Sequence, residues 1–212
     1  HSREPSIVGA KRKISEVDKR ALEAALQLKE KVGGEIIALS MGGENTKTAL
    51  LEALAMGADS VYIVNESSLR SVDTNATSNV LLAAIKKIEN YDIILCGEMT
   101  LDGLSSQIGP RLAELLDIPL ISYVKELDFD SNKITAIRDL EDVDEIVESD
   151  LPVLITVVRE INEPRIPSLM NIMRAKRKPQ IIWNLTDLGL GLDEVYEMSH
   201  VEILSVVAPK VL

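Results

Sequence analysis

The chain has 212 residues, 46% hydrophobic and 27% charged, with a formal net charge of -11. This composition supports a packed core and excludes wholesale disorder, while 3% aromatics argues against base stacking as a mode of action. The negative charge repels nucleic acid and anionic membranes except at local basic patches, and the lone Cys96 excludes an internal disulfide or a multi-cysteine metal site.

In chain order, His1 to Pro5 holds no apolar signal core, Ile7-Val8-Gly9-Ala10 is too short to assign, and Lys11-Arg12-Lys13 reads as solvated surface. Ser15 or Asp18 can cap a helix to Val32, with Val17, Ala21, Ala25, Leu28 and Val32 on one face and Gly33-Gly34 as its stop. Glu35 to Met41 reads as a buried strand, and Asn45 to Met56 as a second helix ended by Gly57. Val61 to Val64 is a strand, Asp73 caps a third helix through Ile88, and Tyr91 to Cys96 is a third strand. A glycine-punctuated loop then leads to a helix over Ser105 to Leu116.

This alternation, with short connections and nearly continuous apolar strands, predicts a three-layer α/β fold with a mainly parallel, doubly wound sheet. After Pro119 the pattern changes. Ile121 to Leu127, Lys133 to Arg138 and Glu145 to Glu148 read as shorter strands forming an antiparallel extension, closed by the apolar strand Val153 to Val158. From Gln180 to Leu212 the chain is less regular, with Trp183, a Gly189-Leu190-Gly191 turn and a last apolar run, Ile203 to Ala208. No uncharged run reaches the roughly 18 residues of a membrane span. A soluble, cytoplasmic protein with no membrane insertion and no nucleic-acid partner is expected.

Ligands of an open parallel sheet collect at the C-terminal ends of its strands. Two strand ends carry suggestive loops, Ser40-Met41-Gly42-Gly43 and Gly97 to Gly109. In the second, backbone amides and the hydroxyls of Thr100, Ser105 and Ser106 at a helix start can hold a phosphate. Neither is a Walker or dinucleotide fingerprint, and each also reads as an ordinary strand-to-helix turn. The cluster Glu141, Asp142, Asp144 and Glu145 is spaced like a solvated turn and lacks a calcium-loop order. His200 reads as a surface or packing residue and Cys96 as a packed small residue, so no catalytic residue and no metal site is expected.

The stretch Asn162 to Pro179 stands apart. Pro164 and Pro167 forbid a continuing strand, Leu169 to Met173 is a short apolar segment, and Arg174, Lys176, Arg177 and Lys178 form a basic cluster. It reads either as a docking surface or as a short helix packing Leu169, Ile172 and Met173 on its own domain.

These residues, Asn162-Glu163-Pro164-Arg165, Ser168-Leu169, Asn171-Ile172-Met173, Ala175 and Lys176-Arg177-Lys178, closely resemble the recognition loop of the electron-transfer flavoprotein β-subunit family. Ala21 to Lys31 resembles that family's first helix and Ala53 to Asp59 the end of its second. Ala136, Arg138, Glu141-Asp142, Glu145, Val147 and Pro152 to Thr156 resemble its signature, from which Val143 departs. The resemblance runs from about Ile7 to Val211 and implies an adenine-nucleotide α-hydrolase-like fold and a non-enzymatic electron carrier. Such a subunit pairs with an α-subunit, which supplies most contacts to a shared FAD, and buries its own AMP, or a second FAD in electron-bifurcating members. It carries electrons from flavin dehydrogenases, such as an acyl-CoA dehydrogenase, to a quinone reductase.

The implied nucleotide contacts are Ser15, Asp18, Met41, Gly97, Thr100, Asp102, Gly103, Ser105, Ser106, Gln107 and Gly109. The implied docking residues are Leu169 as anchor, with Met170, Ile172, Arg174, Lys176, Arg177 and Lys178. Residues 1–179 would then form the nucleotide-binding domain, and residues 180–212 an extension packing as an arm on the partner subunit. The loop Asp102 to Pro110 resembles the bifurcating version, although Leu104 replaces its acidic residue. The family's first, central strand has no counterpart here; either the natural chain is longer, which is the expectation, or the nucleotide site has lost one wall. A free-standing nucleotide-binding domain of the universal-stress type, which shares the fold, is the alternative from another class.

Overall fold

The computed structural model describes residues 12–43, 45–100, 103–130, 132–201, 204–205 and 207. Its first elements are α1 (Glu16–Val32), β1 (Ile37–Gly42), α2 (Thr46–Met56), β2 (Ser60–Asn65), α3 (Thr74–Ile88), β3 (Ile93–Gly97) and α4 (Ile108–Leu116). There follow β4 (Leu120–Asp130), β5 (Lys133–Leu140), β6 (Val143–Asp150), β7 (Val153–Val157), α5 (Leu169–Ala175), β8 (Gln180–Trp183) and α6 (Leu192–Glu197). The termini of α1 suit the helix dipole, with Glu16 and Asp18 in its first turn and Lys29 and Lys31 in its last. Gly33, at φ +83, turns the chain out of the helix in a conformation that side chains resist.

The strands form two hydrogen-bonded sheets. One is wholly parallel, in the order β1-β2-β8. The other runs β3-β7-β4-β5-β6, parallel from β3 to β4 and antiparallel through β5 to β6. Helices α1 and α2 pack on one face and α3 and α4 on the other, which is the three-layer α/β architecture expected.

Two expectations need correcting. The strand Val153 to Val158 does not close the antiparallel extension; β7 lies between β3 and β4, parallel to both. A strand flanked on both edges and covered on both faces must be apolar throughout, and alternate side chains of β7 enter different cores. Leu154 packs with Ile85, Leu112 and Ala113 beneath α3 and α4, whereas Val153, Ile155 and Val157 pack with Ala21 of α1. The second correction is at the irregular end of the chain. Gln180 to Trp183 pairs in parallel register with Val61 to Val64, and α6 buries Val195 in a cluster with Val64, Ala76 and Val80. Of the apolar run Ile203 to Ala208, half lies outside the described residues.

The chain beyond α6 is tied to the start of α3. Asp73 Oδ1 accepts from the Ala76 amide, its Oδ2 accepts from the amides of His200 and Val201, and its own amide donates to Ser199 Oγ. Burial works against the Asp73 charge, but these backbone donors outweigh it and hold the carboxyl below its ordinary value of 3.8. A carboxyl with a depressed folded pKa adds stability above its unfolded value and loses it as pH falls through the folded one. Protection of the His200 and Val201 amides against hydrogen exchange is therefore expected at neutral pH and is lost as the pH falls below 3.8. Asp73→Ala should remove it at every pH and cost about 0.5–2 kcal/mol; undiminished protection in that variant would refute the assignment.

Candidate functional site

A largely apolar cleft runs along nearly the whole length of β1 and β3, the facing edge strands of the two sheets, and its end at the C-terminal edge of β3 is lined by polar loop residues. Its walls come from α1 on one side and from α3 and α4 on the other, and it includes the loop that follows β3, whereas the loop that follows β1 does not line it. Ser15, Asp18, Met41, Gly97, Thr100, Ser105, Ser106, Gln107 and Gly109 all line it, so these residues from three separate stretches meet in one place. Gly103 is exposed in the same loop, and Asp102 lies outside the described residues.

The lining residues differ in what they have left to offer. Ser15 Oγ is buried with no hydrogen-bond partner among the described residues. Asp18 is already engaged, its Oδ1 accepting from the Gly97 amide at 2.8 Å. Burial pushes the Asp18 pKa up, against the opposing effect of that bond. A Cβ on Gly97 would stand 2.9 Å from Val17 Cβ, so glycine there is what lets the start of α1 approach β3. Glu98, one residue beyond β3, also has its pKa raised, by burial and then by Glu160.

The loop ahead of α4 is tightly wound. Thr100 Oγ1 accepts from the Gly103 amide at 3.2 Å, and Leu104 and Ser106 take left-handed φ values of 48° and 53°. Gln107 Oε1 accepts from Thr74 Oγ1 at 2.7 Å and from Arg111 Nε at 3.2 Å, and Arg111 also donates to Asn75 Oδ1. The N-termini of α3 and α4 are thereby tied side by side. The hydroxyls of Ser105 and Ser106 make no hydrogen bond among the described residues. Two helix starts, free hydroxyls and a wound loop suit binding of an anionic group.

Cys96, the penultimate residue of β3, lies beneath Gly109, whose Cβ would stand 3.3 Å from Sγ and 2.5 Å from Thr156 Cγ2. Although the residue keeps some surface on the cleft, enclosure of the sulfur pushes its pKa up to about 12, with Asp18 adding to the effect. The thiolate is the reactive form. Iodoacetamide at neutral pH is therefore expected to leave Cys96 unmodified in the folded protein and to alkylate it after denaturation; equal rates in both states would contradict this.

A second feature lies on the far side of α2. Helix α5 turns its apolar side chains outward: Leu169 is 75% exposed, Met170 59%, Ile172 46% and Met173 67%. Ser168 caps it, its Oγ accepting from the Asn171 amide. Of its residues, Ala175 is buried, against Leu50, Ala53 and Leu54 of α2. The helix that packs Leu169, Ile172 and Met173 on its own domain is thus not what forms. Arg174, Lys176 and Arg177 are exposed, and their side chains have no partner among the described residues. Lys178 is different: its Nζ donates to the carbonyls of Leu54 at 3.1 Å and Ala58 at 2.6 Å, at the C-terminus of α2. Burial lowers its pKa, with Asp59 opposing. Its charge is engaged within the fold, apart from the exposed basic cluster.

Residues 7–188 match the electron transfer flavoprotein domain family. An electron transfer flavoprotein subunit beta from Bacillus subtilis is 44% identical over 187 residues, covering 88% of this chain and 72% of the relative. The chain belongs to the electron-transfer flavoprotein β-subunit family. Another subunit beta, from Thermoanaerobacterium thermosaccharolyticum, is 42% identical over 86% of this chain and 70% of its own length. The caffeyl-CoA reductase-Etf complex subunit CarD of Acetobacterium woodii is 41% identical over 82% and 67%. Electron transfer is accordingly the general role of this electron-transfer flavoprotein subunit. Among its described residues no helix is long and apolar enough to cross a membrane.

Sequence reasoning missed three residues that shape the surface around α5. Arg20 and Glu23 of α1, which the sequence reading does not single out, are only 7% and 4% exposed, and both bond to residues of the 162–165 stretch. Arg165 enters the sequence reading only as part of the Asn162-Glu163-Pro164-Arg165 stretch. The available signal was position: Arg20 and Glu23 flank Ala21 and Ala24 on the buried side of α1.

Proposed function

We propose that this chain is the β-subunit of an electron-transfer flavoprotein heterodimer. With an α-subunit it holds FAD, and it shuttles electrons from flavin dehydrogenases, such as an acyl-CoA dehydrogenase, to a quinone reductase. It works in the cytoplasm as a carrier rather than an enzyme. FAD, when bound, supplies the redox chemistry; this chain's own residues bind, orient and dock. The observation that carries the reading is the exposed face of α5 on a member of this family. Leu169 is the anchor, Met170 and Ile172 widen the apolar contact, and Arg174, Lys176 and Arg177 steer an acidic partner. The stretch from 180 on contributes β8 and α6 to the fold, and beyond α6 the exposed Val201, Leu204 and Val207 belong to an arm that packs on the α-subunit.

The end of the cleft where the start of α1 meets Gly97 and the 97–109 loop is the proposed adenine-nucleotide site. Its residues fit such a group: Ser15 Oγ is buried without a hydrogen-bond partner, and the hydroxyls of Ser105 and Ser106 make no hydrogen bond among the described residues. Thr100, Gly103 and Gln107 shape the phosphate loop, Met41 and Gly97 border the cleft, and Asp18 holds Gly97 in place; by its place in the same sequence motif Asp102 is assigned to the nucleotide with them. Gly109 lets α4 sit directly on β7. AMP is the first choice of ligand. The similarity of 102–110 to the bifurcating loop favours a second reading in which FAD occupies this cleft.

Co-expression with an α-subunit tests both. A stable heterodimer with one flavin and releasable AMP supports the carrier reading, and two flavins per heterodimer supports bifurcation. Failure to form a heterodimer, with self-association and ATP binding instead, would leave the universal-stress-type alternative standing and overturn both.

A further inference from the structure

Between the short 3-10 turn Arg159–Ile161 and α5, residues 162–168 have no regular structure, and Ile166 is 93% exposed. Pro164 and Pro167 restrict φ at two positions but leave the direction of the segment undetermined. Among the described residues, every side-chain hydrogen bond and ion pair made by 162–167 runs to a single element, α1. Asn162 Nδ2 donates to the Arg20 carbonyl at 2.9 Å, and Glu163 accepts from Arg20 at 3.2 and 3.3 Å. Arg165 is held more completely. Its Nε and backbone amide both donate to Glu23 Oε2, at 2.8 and 3.1 Å, one terminal nitrogen donates to Glu23 Oε1 at 2.9 Å, and the other to Glu30 Oε1 at 2.7 Å.

We propose that Arg165 and Glu23 are positioning residues that set the angle at which α5 is presented to the flavin dehydrogenase. The proposal rests on the docking role given to α5 above. A fork of three donors from one residue onto a single buried carboxylate fixes orientation as well as distance, which a lysine or a lone ion pair does not. At the other end, Ala175 is buried on α2 and Lys178 is bonded to the last turn of α2 and to Ala58, two residues beyond it. The helix is therefore held at both ends and bare in the middle. Ordering that is completed before encounter is not charged against the complex, so a presented helix binds more tightly than a loose one of the same sequence.

The test uses the heterodimer with its flavin, as the varied electron acceptor of an acyl-CoA dehydrogenase, together with hydrogen exchange at amides 168–174. Arg165→Gln is expected to raise KM about tenfold with kcat unchanged, and to speed exchange at 168–174 about tenfold, with flavin content and heterodimer intact. Glu30→Gln, at an exposed carboxylate, should give a smaller shift in the same direction, and Glu23→Gln the full one where it folds. Leu169→Ala serves as the control, raising KM without changing exchange. If Leu169→Ala raises KM while Arg165→Gln leaves both readouts at wild-type values, the positioning role is overturned and docking survives. If Leu169→Ala leaves KM unchanged, docking itself falls, and the positioning role with it.

Discussion

Leu154→Ala is expected to remove about 2–5 kcal/mol of stability, a large share of the roughly 5–15 kcal/mol that holds a domain folded. Leu154 is fully buried in β7, with partners that came together from β3, α3 and α4, so its loss leaves a cavity that no single element can collapse into. At about 2–4 °C per kcal/mol for a chain of this size, the melting temperature should fall by roughly 4–20 °C. Calorimetry of the heterodimer reads this directly. A fall of under a degree would mean that β7 is not the central strand described.

The largest functional effect is expected from Leu169→Ala. Burying a leucine at an interface contributes about 1.5–3 kcal/mol, so removing it should raise the KM for electron acceptance from an acyl-CoA dehydrogenase by roughly ten- to a hundredfold. Leu169 touches neither core nor cleft, and flavin content, heterodimer yield and melting temperature should stay at their wild-type values. A KM within twofold of wild type would end the case for Leu169 as the anchor.

The sequence was most readable where one period ran long enough. Helices α1 to α4 and strands β1 to β3 lie within a few residues of where spacing, Asp73 and the glycine stops put them, because each signal is local. The place of β7 was not readable. A continuous apolar run states that both faces are covered, but its neighbours in the sheet are set by β3 and β4, some sixty and thirty residues earlier. Strand β8 escaped because four residues after Pro179 show no period of their own, and it takes its identity from β2.

The candidate site divided in the same way. Met41 near the end of β1 and the loop residues after β3 were found because parallel strands end on one edge. That Lys178 turns inward while Arg174, Lys176 and Arg177 remain exposed was not legible, since four basic side chains in a row look alike until one reaches a helix end. The pairing of Arg165 with Glu23, 142 residues earlier, was beyond any local rule.

The position of β7 also bears on how the molecule is made. Strand β3 leaves the ribosome more than fifty residues before the strand that pairs with it, and β4 must wait as well for its parallel neighbour. The other sheet is completed later still, when β8 reaches β2 from over a hundred residues away. Neither sheet can close until most of the chain has been synthesised. Contacts this distant in sequence make for slow folding, and in the interval the apolar edges of β2, β3 and β4 are open to wrong partners. During synthesis this subunit is therefore a natural client for chaperones, and its yield should depend on translation rate more than that of a helical protein of equal size.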